Sequence, residues 1–215
     1  MPPWQALSMF DNRITRMLGI DVPIVQAPMG YIARAQLASA VSNAGAMGII
    51  ETSSGLLDEV RDEITEMHGL TDRPFGVNIA QAFVRDPSIV EFVVEQGVRF
   101  VTTSAGDPTK YTSQLKDAGL TVFHVVPTLR AAQKAVDAGV DGLVVEGSEG
   151  GGFKNPRDVS TMVLLPLVAS TIHRRPNDGS RVRPRCRRCA DGYAHGRRGR
   201  VADTRQLEAG DRVGP

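Results

Sequence analysis

Cysteine is missing from residues 1–170 of this 215-residue chain, so disulfides play no part in holding that portion together. No stretch of about 18 uncharged apolar residues occurs, which excludes a helix that crosses a bilayer. The segment Met1 to Asn12 lacks a charged stretch followed by an apolar run, so it does not read as a secretory leader. A cytoplasmic protein is expected. Net charge is also nearly absent, at +1, but that figure averages two unlike parts. Residues 1–170 carry 13 basic and 19 acidic side chains, whereas residues 171–215 carry 12 basic and 5 acidic ones. The longer part has the surface of an ordinary soluble protein, and neither nucleic acid nor membrane is expected as its partner. The shorter part has no Lys, a single Ile and no apolar run longer than two residues, so it cannot supply a core. It is expected to be a disordered basic tail.

What is present in residues 1–170 is alternation. Short β-branched runs at Pro23 to Ala27, Met47 to Ile50, Phe75 to Ile79, Phe100 to Thr103, Thr121 to Val126 and Gly142 to Glu146 recur about every 25 residues. Helical patterns fill the intervals, with apolar residues at Leu37, Ala38 and Val41, at Ile89, Val90, Val93 and Val94, and at Ala132, Ala135 and Val136. One punctuation mark repeats: Asn43-Ala44-Gly45, Glu95-Gln96-Gly97, Asp117-Ala118-Gly119 and Asp137-Ala138-Gly139 each put Gly where a helix must end in a left-handed residue. Such repetition predicts parallel strands joined by crossover helices.

A doubly wound sheet would open with a Gly-rich fingerprint after its first strand. That strand ends instead in Gln26-Ala27-Pro28-Met29-Gly30, which favours a TIM-barrel-type arrangement. A complete barrel has eight strands and about 250 residues. Six are predicted here, so the barrel is incomplete, occupying residues 1–170. A helix over Ser160 to Ser170 should lead to a seventh strand, but Thr171-Ile172-His173-Arg174-Arg175 follows.

Ligands of parallel barrels bind at the C-terminal ends of the strands. There stand Pro28-Met29-Gly30, Glu51-Thr52-Ser53, Asn78, Thr103 to Gly106, His124 with Pro127-Thr128, and Glu146 to Asn155. Gly150-Gly151-Gly152 would let backbone N–H groups approach an anion or a flat ring, with a plain flexible loop as the alternative reading. The Asn78 amide could both donate to and accept from a heterocycle edge, or simply form a turn. His124 lies in an apolar strand and is expected to be a satisfied core or rim histidine. His68, near a helix end, reads as a capping or surface residue.

Taken in order, Pro23 to Met29, Ser42-Asn43-Ala44-Gly45-Ala46-Met47-Gly48, Gly76-Val77-Asn78 and Ala138 to Gly152 resemble the nitronate monooxygenase family, formerly called 2-nitropropane dioxygenase. The resemblance runs from about Asn12 to Ala169. It implies an FMN-binding TIM barrel that oxidises alkyl nitronates with dioxygen. Carried over position by position, it implies cofactor contacts at Ala27, Pro28, Met29, Asn78 and Lys134, to which the glycine run itself adds backbone approach at Gly151 and Gly152. FMN is the one cofactor implied, no metal is, and oligomeric state is left open.

The chain also departs from the family pattern. Where the family carries a histidine after its Gly-Gly pair, this sequence has Phe153, which cannot exchange a proton. Where the family commonly has Pro-Gln-Val, this chain reads Pro166-Leu167-Val168. The later Gly-rich segments that hold the FMN phosphate have no counterpart after Ser170. Out-of-frame reading of GC-rich codons gives Arg, Gly, Ala and Pro, so a frame shift is the expected origin of the tail. Within it, Cys186-Arg187-Arg188-Cys189 with His173 and His195 could be drawn as four Zn ligands, but one Cys pair without a finger's apolar residues reads as chance. Two alternatives to the nitronate reading remain: a related FMN-dependent enoyl-ACP reductase-like enzyme, and an inactive truncated product.

Overall fold

A computed structural model describes residues 10–53, 56–152 and 159–172. Phe153, the Cys186–Cys189 pair and all of the predicted tail beyond Ile172 lie outside the described residues. The elements follow in the order α1 (Arg13–Leu18), α2 (Ala35–Asn43), β1 (Gly48–Glu51), α3 (Leu57–Leu70), β2 (Phe75–Ala80), α4 (Ile89–Glu95), β3 (Phe100–Ser104), α5 (Thr112–Asp117), β4 (Thr121–Val126), α6 (Leu129–Asp137), β5 (Gly142–Val145) and α7 (Thr161–Ile172). A short 3-10 turn, Gln81–Phe83, follows β2.

All strand pairs are parallel, and spatial order equals chain order, β1-β2-β3-β4-β5. This decides between the two parallel architectures, because a doubly wound sheet reverses direction at a switch point and a barrel arc never does. The structure is an arc of a TIM-type barrel, incomplete among the described residues.

One expected strand is corrected. Pro23 to Ala27 forms only an isolated parallel bridge, Val25 to Met47. Pro23 has no N–H to give, and the Ile24 N–H is spent locally on the Val22 carbonyl at 2.7 Å. Two bonds remain to tie the segment to its neighbour, from Gln26 N–H to the Met47 carbonyl and from Met47 N–H to the Ile24 carbonyl. The segment therefore continues the arc by one bridged position without becoming a strand.

Each side of the sheet has its own core. Toward the helices, Ile50, Val77, Ile79, Val101 and Val122 pack against Val60, Ile64, Met67, Val90, Val93 and Leu115. α2 approaches β1 so closely that a side chain at Gly48 would run into the Ala38 carbonyl. That is why α2 buries Ala35, Ala38, Ser39 and Ser42, while the anticipated Leu37 and Val41 are only half-buried. Toward the barrel interior, Ile49, Phe100 and Phe123 meet Leu18 and Ile20, so α1 plugs the bottom. α1 is held by a capping box between Asn12 and Thr15. Gly45, Gly97, Gly119 and Gly139 all have positive φ, as the repeated punctuation requires.

Candidate functional site

Strand register sorts the interior side chains into rows. Ile49, Gly76 and Phe100 form the lowest row, sealed by α1. Above it run Glu51, Asn78, Thr102, Phe123 and Gly142. The Phe100 and Phe123 rings meet edge to face at 5.2 Å, and Cβ atoms placed on Gly76 and Gly142 would come within 2.6 and 2.5 Å of them. Glycine at both positions makes room for the two aromatic rings that floor the cavity. The next row up carries Ala80 and Ser104, then Val125, half-buried, and Val144, which is exposed. An apolar concave wall therefore opens toward the C-terminal ends of β4 and β5.

Asn78 is buried in the middle row and its amide is fixed by hydroxyls of β3. Its Oδ1 accepts from Thr102 Oγ1 at 2.8 Å, and Ser104 Oγ lies 3.4 Å from both amide atoms. Thr52 Oγ1 donates to the Asn78 carbonyl at 2.9 Å. Among the described residues the Nδ2 group has only the long Ser104 contact, so donor capacity remains for a ligand edge.

Beside Asn78, Glu51 is fully buried and serves a neighbouring loop. It accepts from the backbone N–H of Tyr31 at 3.1 Å and from both N–H and Oγ of Ser53 at 2.7 Å, with Arg34 Nη2 at 3.6 Å. Its own N–H donates to the Ala33 carbonyl. These bonds dock the Gln26 to Arg34 loop against the end of β1, which brings Ala27, Pro28 and Met29 to the same rim as Asn78. Gln26 Nε2 donates to the Ile49 carbonyl at 3.2 Å, and its buried Oε1 has no partner among the described residues. A buried acceptor without a donor costs about 1–3 kcal/mol, a cost that a bound donor would offset.

The other predicted residues are placed differently. Lys134 stands on α6, in the helix layer, with Nζ 2.6 Å from Asp107 Oδ2, and this pair holds the Asp107 carboxyl down to about 2. Among the described residues nothing stands within 4 Å of a side chain placed at Gly151 or Gly152, whereas at Gly147 and Gly150 that space is filled by Thr161, Glu149 and Glu146. Glu149 caps the start of α7 through Ser160 Oγ and the N–H and Oγ1 of Thr161, and the Ser160 bond leads the group that holds its carboxyl down to about 2. This part of the loop is filled by the chain's own carboxylates.

His124 is buried with Nδ1 2.7 Å from Thr103 Oγ1, on the helix side of β4. Burial depresses its pKa, partly countered by Asp107 and by the Gly106 carbonyl. It is the satisfied histidine that the sequence suggested. His68 is exposed, edge-on to Phe75 at 5.2 Å and with Nε2 3.3 Å from the Gln96 carbonyl. No group of three or more metal-ligating side chains occurs among the described residues. Residue types alone marked Glu51 as standing at the rim but not as the anchor of the Ala27–Met29 loop. An acid directly after a wholly apolar strand was the available signal.

Residues 11–88 and 80–173 match the nitronate monooxygenase family. A (3aS,4S,5R,7aS)-5-hydroxy-7a-methyl-1-oxo-octahydro-1H-indene-4-carboxyl-CoA dehydrogenase of Mycobacterium tuberculosis is 36% identical over 159 residues, covering 74% of this chain and 44% of the relative. A nitronate monooxygenase of Pseudomonas aeruginosa is 28% identical over 205 residues, covering 74% and 58%. Among solved structures, FabK from Thermotoga maritima superposes with a TM-score of 0.70 at 37% identity, covering 75% of this chain and 51% of that one. The chain thus spans about half the length of the curated relatives it matches.

Proposed function

The chain belongs to the nitronate monooxygenase family, and from that premise we propose that it forms the greater part of an FMN site in an oxidoreductase. The observation that carries the reading is the interior rim. A buried amide with spare donor capacity, Asn78, faces the same interior as the apolar Val125 and Val144 one row up on β4 and β5, and stands next to a loop fixed in place by Glu51. That combination suits a flat heterocycle, which is apolar on its faces and polar at its edges. Ala27, Pro28 and Met29 would lie against the ring, Asn78 would bond its edge, and Gly151 and Gly152 would offer unobstructed backbone. FMN, when bound, supplies two-electron oxidation and reduction that no side chain here provides. The protein's own part is to orient substrate over the wall, exclude water from it and hold the amide.

The family reaction, oxidation of an alkyl nitronate with dioxygen, is the first substrate reading. A nitronate arrives already ionised, so it needs no proton acceptor at the position that Phe153 occupies. The second reading is dehydrogenation of a CoA thioester. It is favoured by the two relatives so named, at 36% and 31% identity, against 28% for the Pseudomonas aeruginosa nitronate monooxygenase. Under either reading the functional unit is residues 1–170 and the partner is a small molecule in the cytoplasm, with neither nucleic acid nor membrane engaged. Among the described residues no helix is long and apolar enough to cross a membrane.

Titrating the purified full chain with FMN tests the reading. Quenching of flavin fluorescence that saturates at one equivalent is expected, followed by bleaching of the bound flavin with an alkyl nitronate or a CoA thioester. A sample that leaves FMN fluorescence unchanged removes the cofactor assignment.

A further inference from the structure

Tyr31 combines two features that a folded chain does not keep without a reason. Its φ is 63°, in the left-handed region where a bulky aromatic residue is a genuine outlier, and its side chain is 77% exposed. Packing within the chain therefore does not compensate the backbone strain. The conformation is nevertheless imposed, since Tyr31 N–H donates to the buried Glu51 carboxylate, which also engages Arg34 and Ser53. Backbone strain of this kind gathers at ligand clamps, where the surroundings over-determine the geometry. Two neighbours on the same loop are exposed large apolar residues as well, Met29 at 40% and Ile32 at 60%. All three follow directly on Ala27 and Pro28, at the rim of the proposed cofactor wall.

We infer that Tyr31, with Met29 and Ile32, forms an apolar lip that receives the bulky apolar body of the substrate, making Tyr31 a specificity-determining residue. This rests on the CoA-thioester reading, in which the reacting acyl group is a fused-ring or similarly broad hydrocarbon rather than a small nitroalkane. Glu51 is its positioning residue. The strained turn holds the phenol at the mouth before substrate arrives, so little ordering is left to do on binding.

The test uses the full chain, in wild-type form and as Tyr31→Gly and Tyr31→Asn, both of which accept a left-handed backbone. Calorimetric titration with acetyl-CoA and with a bicyclic carboxyl-CoA compares a small and a broad acyl group. Loss of one aromatic contact should weaken the bicyclic thioester about tenfold in both variants and leave acetyl-CoA within about twofold. Melting temperatures should not fall, because the strain is relieved. Equal weakening of both thioesters, no weakening of either, or no thioester binding by the wild type would overturn the proposal. So would loss of self-association in the variants with thioester binding intact, which would assign the lip to a protein contact. FMN titration of the same samples separates the two levels. Absent flavin binding sinks the cofactor reading, whereas selective thioester loss with flavin affinity unchanged supports the lip.

Discussion

Asn78 is the residue on which the proposed cofactor site turns, since its amide is a structural member of the middle row and keeps donor capacity that a ligand could use. Replacing it with Ala strands the Thr102 hydroxyl and removes the edge contact. A loss of about 1–2 kcal/mol in urea-unfolding stability is expected, together with a fall in FMN affinity of about tenfold, read by fluorescence titration. His124 offers a prediction in pH. Its folded pKa is depressed by burial, so the unfolded chain takes up the proton first as pH falls. Its contribution to stability is thus complete above the unfolded value of about 6.5 and declines below it. The melting temperature should drop between about pH 7 and pH 5, and His124→Gln should flatten that slope; an unchanged slope would show that other groups set it. Asp107 and Glu149, both held to about 2, act at lower pH, where their contributions are present above the ordinary carboxylate range and lost as pH falls toward that value. The quiet role of His124 was legible beforehand, because a histidine inside an apolar strand reads as buried; for Asn78 residue types left a ligand contact and a turn open, and the structure sets it inside β2 rather than in a turn. The service that Glu51 gives to Tyr31 was not, since it joins positions 20 residues apart through a side-chain bond.

Among the elements, β5 and α7 are the ones whose surroundings are least complete. Gly142 opens β5 at the point where the Phe123 ring occupies the space a side chain would need. Gly142→Ala should cost about 1–3 kcal/mol by overpacking, measured from the denaturant midpoint. α7 buries Leu164 and Val168 against α6 but leaves Met162, Val163, Leu165 and Leu167 exposed, with Pro166 within the helix. Leu164→Ala should cost about 2–5 kcal/mol, whereas Met162→Lys should leave the midpoint unchanged and raise solubility. A midpoint lowered by the Met162 change would mean that this face is packed after all. The existence and order of these elements followed from the spacing of apolar runs and from four glycine stops. The failure of Pro23 to Ala27 to become a strand did not, because it depends on where the Ile24 N–H goes and on a neighbour that, among the described residues, stands on one side only.

For the whole molecule, the arc leaves β5 with a strand partner on one side only among the described residues. Unpaired N–H and C=O groups along a parallel edge favour pairing with another chain. Domain stabilities are about 5–15 kcal/mol, so an open edge together with wet apolar side chains removes much of the margin. Light scattering of the full chain should show self-association that grows with concentration, and a monomer with a sharp melt above ordinary mesophile temperatures would contradict this. FMN at a hundred times its dissociation constant should add about 2.7 kcal/mol by mass action. What residue order alone determined is the parallel β/α alternation, through strand and helix periods and local glycine stops, and the family, through motifs that match it in order; these are short-range properties, whereas the strand order that makes the sheet a barrel arc is not. Only the tertiary structure decided that Lys134 is paired with Asp107 on the helix layer, that Glu149 fills part of its own glycine loop, and that a buried carboxylate holds Tyr31 in a left-handed turn. Each of those depends on which side chains meet across the sheet, and a linear chain does not carry those distances on its face.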